Sequence, residues 1–199
     1  MRSRLFRLEY KWLVAIVFMF GLFMDILDST AVNVAIPRLQ ADFHAPLSSV
    51  EWTVTGYLLS LALFIPGAGF LSDRFGTKRT FLLAMATFVI GSALCGQARS
   101  IEELVAFRFL QGMGGGMMTP VSTAILSREF PGEERAKASA LISVPVIFAP
   151  ILGPVLGGYL VEYTSWRWIF YINLPVGIVG FLLALRVLRE HKEPYAQGR

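Results

Sequence analysis

Five stretches of this chain carry no charged side chain, and each is long enough to cross a bilayer. They cover residues 52–72, 80–98, 109–127, 138–161 and 168–185. A helix needs about 20 apolar residues to span the hydrocarbon core. A sixth apolar stretch, 12–35, has the same length but contains Asp25 and Asp28. A membrane β-barrel would instead show segments of about ten alternating residues, and these runs do not alternate. The expected fold is therefore an all-α membrane protein with six transmembrane helices. Hydrophobic residues make up 55% of the chain and charged residues 16%. A soluble domain has about 25% charged residues, so composition agrees with the segmentation.

The distribution of Lys and Arg sets an expected orientation. If the N-terminus is cytoplasmic, that side holds Arg2, Arg4, Arg7, Lys11, Arg74, Lys78, Arg79, Arg128, Arg135, Lys137, Arg186, Arg189, Lys192 and Arg199. Only Arg38, Arg99 and Arg167 fall on the other side, and Arg108 lies within a span. The positive-inside rule then places both termini in the cytoplasm. The basic start followed by an apolar run could pass for a signal peptide. Its apolar part is too long, however, and no small-x-small site precedes its polar part, so it reads as a retained first span. The net charge of +4 follows from loop basicity and calls for no nucleic-acid partner. The expected organisation is a cytoplasmic N-terminus (1–11), a six-span bundle (12–186) and a cytoplasmic linker or tail (187–199).

Asp25 and Asp28 raise the sharpest question. A carboxylate at the centre of a spanning helix costs roughly 2.5–3.5 kcal/mol on insertion scales. Their spacing puts both on one helix face, with Ser29 beside them. Two readings are open. The pair sits capped near a helix end, or it faces a polar cavity and handles protons, ions or cationic ligands. Asp side chains are short and snorkel poorly, and both lie more than a dozen residues beyond Lys11. Arg108 is the available counter-charge, with Gln111 one turn later on the same face. The alternative for Arg108 is the outer interface, close behind Glu102 and Glu103. A permanently charged Arg could tune a neighbouring acid but would not carry the proton itself.

Small residues and prolines form a second pattern. Gly112 and Gly116, then Gly153 and Gly157, repeat the small-x-x-x-small spacing that lets helices approach closely in lipid. Pro145, Pro150 and Pro154 all fall in one span and remove backbone donors. Ordinary close packing and a moving interface both fit. The stretch 69–79, GFLSDRFGTKR, reads as a tight cytoplasmic turn. Asp73 would counter-charge a helix end, Gly76 would permit the turn, and Lys78 and Arg79 would anchor at headgroups.

Taken together, these segments resemble the first six spans of a major facilitator superfamily transporter. GFLSDRFGTKR is similar to that superfamily's loop motif, through Gly69, Asp73, Arg74, Gly76, Lys78 and Arg79. RFLQGMGGG resembles its fourth-span motif, with Arg108 as the arginine. APILGPVLGG resembles the fifth-span antiporter motif, through Pro150, Gly153, Pro154, Gly157 and Gly158. LDSTAVNVAIP, with Asp28, and WRWIFYINLPVG narrow the likeness to the fourteen-span EmrB/QacA-like branch of drug:H+ antiporters. The resemblance runs from about Phe18 to Ala184.

What it implies is a bundle built as a 3+3 inverted repeat and a multidrug exporter driven by the proton gradient without a cofactor. It also implies proton coupling at Asp28, with Arg108 tuning it; Asp25 lacks the motif match and joins them through its shared face with Asp28. Asp28 carries the motif match and would take the proton, while Asp25 would set affinity for cationic cargo. Asn33, Trp52, Tyr57 and Gln111 would lie on the substrate path, and Phe20 and Phe23 would offer further aromatic faces. The partners would be small hydrophobic or cationic substrates, protons, the lipid bilayer and a second bundle. The setting would be the plasma membrane, most simply a bacterial inner membrane. Another permease or a metabolite exporter of the same superfamily is the nearest alternative, and a non-transporting six-span partner a remote one.

Other chemistries find little support. His44 and His191 both fall in loops, and no G-x-S-x-G occurs, so an intramembrane Ser–His protease lacks its base. The phosphate-binding pattern G-x-x-x-x-G-K-[ST] is absent. One cysteine, Cys95, allows neither an internal disulfide nor a cysteine metal cluster, and no metal site is expected.

Overall fold

A computed structural model describes residues 2–130, 132 and 134–191, with backbone alone for 2–9, 135 and 137. The described residues are helical, with short connections and no strand among them. Seven helices follow in order: α1 (Arg2–Phe43), α2 (Leu47–Phe75), α3 (Thr77–Gln97), α4 (Ile101–Glu129), α5 (Glu134–Tyr163), α6 (Arg167–Tyr171) and α7 (Asn173–Val187). Five stretches are long and apolar enough to cross a membrane: Tyr10–Phe43, Leu47–Phe75, Thr77–Gln97, Ala138–Tyr163 and Arg167–Val187. The last joins α6 and α7 through Ile172. Helix α4 has 29 residues, but its glycines, Arg108 and Gln111 leave it less apolar than the others. The chain is a multi-pass membrane protein.

Local chemistry explains where the helices stop. His44, at a φ of 50°, turns the chain after α1, and Pro46 opens α2 from an extended conformation. Ser100 caps α4 by accepting from the Glu103 N–H at 3.2 Å, while Glu103 accepts from the Arg99 N–H at 2.9 Å. This is close to a capping box, and Glu102 and Glu103 add favourable charge at the positive helix end. Helix α1 begins at Arg2, so residues 2–11 are helical and continuous with the first apolar stretch, which runs from Tyr10 to Phe43. Residues 192–199 of the expected tail lie outside the described residues.

Prolines interrupt less than their chemistry suggests. Pro37, Pro66 and Pro120 lie inside α1, α2 and α4, and α5 runs unbroken through Pro145, Pro150 and Pro154. Each removes one donor from the ladder. In a bundle, neighbouring helices and side chains re-satisfy the freed groups.

Helix pairing relies on glycines. Helix α4 packs on both α2 and α3, and α5 packs on α1. A Cβ on Gly112 would lie 2.5 Å from the Tyr57 carbonyl oxygen, and one on Gly114 would lie 2.5 Å from the Phe88 nitrogen. On α5, a Cβ on Gly157 would lie 2.9 Å from the Ala31 carbonyl oxygen, and one on Gly153 would collide with Thr30. The glycines are the surfaces on which backbones meet. Pro150 and Pro154 are exposed, whereas Gly153 and Gly157 are buried.

Two apolar clusters form the core. One gathers Met24, Phe81, Met85, Phe88, Met117 and Met118, and the other Leu39, Val50, Leu104, Trp166, Ile169 and Phe170. The outer surface is apolar as well, with Leu63, Ile147, Ile151 and Val155 among the exposed side chains.

Candidate functional site

Between the two apolar clusters lies a polar layer. Along α1 it falls between Met24 and Ala31, along α4 between Leu104 and Met117, and along α3 between Phe88 and Cys95. Its centre is Asp28, fully buried and ion-paired with the equally buried Arg108 through Arg108 Nη1 and Asp28 Oδ2. Asp28 Oδ1 accepts from Gln111 Nε2 at 3.0 Å and from Asn173 Nδ2 at 2.8 Å. Arg108 also donates from Nη1 to Gln111 Oε1 at 2.7 Å and from Nε to the Thr53 carbonyl at 2.9 Å. Its guanidinium carbon lies 4.0 Å from the centroid of the Tyr57 ring, a cation–π geometry that partly replaces lost hydration.

The layer extends by neutral groups. Asn173 Nδ2 donates to Ser92 Oγ at 3.1 Å, and Ser92 in turn donates to the Phe170 carbonyl at 2.8 Å. The Cys95 thiol lies 3.6 Å from Gln111 Oε1. Four elements thus meet on one carboxylate: α1, α4, α7 and, through Ser92, α3. Arg108 Nη2 has no hydrogen-bond partner among the described residues.

Asp25 sits one turn earlier on α1 and is half-buried. It accepts from the Tyr57 hydroxyl of α2. The two aspartates therefore face different neighbours, Asp28 toward α4 and α7, Asp25 toward α2. Neither is a capped or snorkelling pair at a helix end. Arg108 is the internal counter-charge and does not lie at the outer interface. Ser29 is absent from the network, because its hydroxyl donates to the Ile26 carbonyl at 3.0 Å.

Of the expected substrate-path residues, Tyr57 and Gln111 belong to the polar layer. Asn33 is exposed and donates to the Ser29 carbonyl at 2.9 Å, and Trp52 is also exposed. Neither contacts Asp25 or Asp28. Phe20 and Phe23 line an apolar hollow of about 300 Å³ with Met19, Val144, Phe148 and Val176.

The loop motif lies at the far end of α2. Gly69 is on α2 with open space around it, since nothing lies within 4 Å of where a Cβ would stand, and Asp73 and Arg74 are exposed. Gly76 has a φ of 95°, the region that favours glycine, and a Cβ there would strike the Glu190 carboxylate. Glu190 accepts from the Lys78 N–H at 3.1 Å and pairs with Arg79 at 3.7 Å, and Lys78 Nζ donates to the Leu185 carbonyl at 2.7 Å. Lys78 and Arg79 thus hold the end of α7 and the segment after it, a contact in addition to the headgroup anchoring expected of them.

Sequence reasoning missed Asn173, Ser92, Thr53 and Glu190. One signal was available for Asn173: it is one of only two asparagines in the chain, and it lies inside an uncharged run.

Comparisons with known proteins agree with this architecture. A family model, the Major Facilitator Superfamily, matches residues 18–199. A relative from Yersinia enterocolitica, named for multidrug resistance as MdtD, is 43% identical over 87% of this chain and 36% of that protein. Its counterpart in Yersinia pestis is 41% identical over 91% of this chain and 38% of that protein. The chain thus spans little more than a third of the length of these relatives. Among solved structures, a bacterial homologue of the human lysosomal transporter Spinster superposes with a TM-score of 0.73 at 20% identity. That match covers 94% of this chain and 46% of the other. Fold, motifs and the match to the family model lead to one conclusion: the chain belongs to the Major Facilitator Superfamily.

Proposed function

We propose that this chain forms one six-span bundle of a proton-coupled exporter of hydrophobic or cationic compounds. The observation that carries the reading is the buried Asp28–Arg108 pair, held by Gln111 and Asn173, with Asp25 and Tyr57 beside it. Intramembrane charges in a bundle interior mark proton, ion or substrate pathways. The relatives named for multidrug resistance support the cargo class. With α6 and α7 taken as one span and α4 counted by its length, the helices number six. The pairing of α1 with α5 and of α2 with α4 is what exchanging two three-helix units would produce, which supports an inverted repeat. A second bundle would complete the path, with Asn33 and Trp52 on the exposed surface available to line it.

Coupling follows from competition. A proton arriving from outside at the acidic pair displaces a cationic substrate, and its loss inside restores the binding charge. One charge crossing 100 mV is worth roughly 2.3 kcal/mol, enough for about a fiftyfold gradient of a neutral solute. No cofactor is required. The full-length protein in proteoliposomes, loaded with ethidium as probe cation, should move it against its gradient when a pH difference is imposed, with proton counterflow. Ethidium movement indifferent to the pH difference would defeat the reading.

The same reading places both chain ends in the cytoplasm of a bacterial inner membrane. Lys11, Arg74, Lys78, Arg79, Arg186 and Arg189 share the end of the bundle where α2 meets α3, and Arg38, Arg99 and Arg167 the opposite end. Ala136→Cys should resist an impermeant thiol reagent in intact cells, whereas Ser48→Cys should label. Both positions are exposed, so labelling in the reverse sense would invert the orientation.

A further inference from the structure

We propose that an open hollow at the end of the bundle opposite the loop motif binds the phosphodiester group of a membrane phospholipid, with Arg99 and Arg167 as its cations. The site depends on the chain's place in a membrane and is independent of what the protein transports.

Cations are scarce at this end, which holds only Arg38, Arg99 and Arg167. Asp42 neutralises Arg38 through an ion pair of 3.0 Å. No ion pair among the described residues uses Arg99 or Arg167. Both of these line one hollow of about 400 Å³, where the last turn of α3 meets the beginnings of α4 and α6. A guanidinium offers a planar fork of donors that matches a phosphate, and two of them on one space favour an oxyanion there.

Much of the site is in place before a ligand arrives. Arg167 donates from Nη2 to the Ala98 carbonyl at 2.9 Å, and its guanidinium carbon lies 4.4 Å from the centroid of the buried Trp166 ring. A Cβ on Gly96 would strike the Tyr171 ring, so that ring rests against the α3 backbone. The exposed Trp168 meets Tyr171 edge-on at 5.8 Å. Ordering of this kind lowers the entropy lost on binding. Arg99 is exposed and supplies the adjustable second cation.

The polarity of the hollow runs along the membrane normal. Gln97, Arg99 and Arg167 stand at its mouth, at the ends of their helices. Leu94 lies three residues back along α3, and Phe107 lies four residues beyond Glu103 along α4. At 1.5 Å per residue both are about 4.5–6 Å deeper. A soluble anion gains nothing from an apolar floor, whereas a phospholipid carries its phosphate above and its acyl chains below. Trp168 and Tyr171 are also the residue types that gather at headgroup depth. The favoured source of the phosphodiester is therefore a lipid.

One acid shares the lining. Glu103 Oε2 accepts from the Arg99 N–H at 2.9 Å, which leaves its other oxygen for an amine or hydroxyl of the headgroup. The lining then carries one net positive charge, which suits a monoanionic phosphodiester. Arg99 also borders a second hollow, together with Asp42 and Glu102. Two carboxylates beside one guanidinium disfavour a phosphate there.

Photocrosslinking reads occupancy at this place alone. Full-length protein carrying Trp168→p-benzoylphenylalanine, delipidated in detergent, is irradiated with increasing dioleoylphosphatidylglycerol, and the adduct is measured by mass. The adduct should saturate. Dioleoylglycerol, which has the same chains and no phosphate, should bind roughly tenfold more weakly or worse, and inorganic phosphate should not displace the lipid. Arg99→Gln removes an exposed side chain and should weaken binding about fivefold, about 1 kcal/mol. Adding Arg167→Gln should weaken it roughly tenfold or more, while Arg38→Gln should leave it unchanged. Wild-type affinity in Arg99→Gln and in the double variant overturns the site, and if the double variant does not fold, Arg99→Gln decides alone. Equal binding of dioleoylglycerol would mean that apolar contact and not phosphate is recognised. Displacement by inorganic phosphate would make the hollow a site for soluble anions, and the lipid assignment would fall.

Discussion

Arg108→Met should destabilise the full-length protein so strongly that little folded material is recovered from the membrane. Arg108 is fully buried and donates to Asp28, Gln111 and the Thr53 carbonyl. Removing it leaves an unpaired carboxylate among apolar helices. Breaking a buried pair from one side costs about 3–5 kcal/mol, a large part of the roughly 5–15 kcal/mol that typically separates folded from unfolded protein. The double variant Arg108→Met, Asp28→Asn should recover most of that loss, because no carboxylate at position 28 is then buried without its counter-charge. Its transport should remain absent. Melting of detergent-purified protein measures both arms, and the pair forms a coupling cycle. A single variant as stable as wild type would mean that the Arg108 position is well solvated, contrary to its burial.

Gly114→Val should be among the most damaging of the glycine substitutions on α4. A Cβ at Gly114 would lie 2.5 Å from the Phe88 nitrogen and 2.6 Å from the Ala84 carbonyl oxygen. Both are backbone atoms of α3, so no rotamer change can relieve the contact and the helices must separate. Overpacking costs about 1–3 kcal/mol and occasionally more, and valine adds two methyls beyond the Cβ. Gly67 on α2 provides the contrast, since nothing lies within 4 Å of a Cβ there. Gly67→Ala should be neutral or stabilising by up to about 1 kcal/mol, through helix propensity alone. A thermal melt of both variants tests this. Equal effects at the two positions would mean that α4 does not meet α3 at its backbone.

The positions of the helices were legible because charge is excluded from lipid: apart from Ala98 and Ile172, the uncharged runs of the sequence lie within the helices. The pairing of Asp28 with Arg108 was legible for the same reason, since an isolated charge in either span would be expensive. Helix lengths were not. The first helix reaches back to Arg2, because nothing in residues 2–11 breaks a helix, and hydropathy marks only its apolar part. Asn173 escaped notice because an uncharged amide leaves hydropathy almost unchanged, yet it supplies a donor to the central carboxylate. The different surroundings of Asp25 and Asp28 could not be read from their spacing. Three residues along a helix set a common side but not which neighbouring helix each carboxylate meets.

The glycine contacts carry a mechanical consequence. Where backbones touch without intervening side chains, two helices cannot slide without losing dense packing, so α4 with α2 and α3 forms one stiff block and α5 with α1 another. The polar layer crosses the seam between them, Asp25 and Asp28 from one side, Tyr57, Arg108 and Gln111 from the other. A single charge arriving at that seam changes the force holding the blocks together while leaving each block intact. The bundle thereby concentrates its compliance at the plane where its ionisable groups sit.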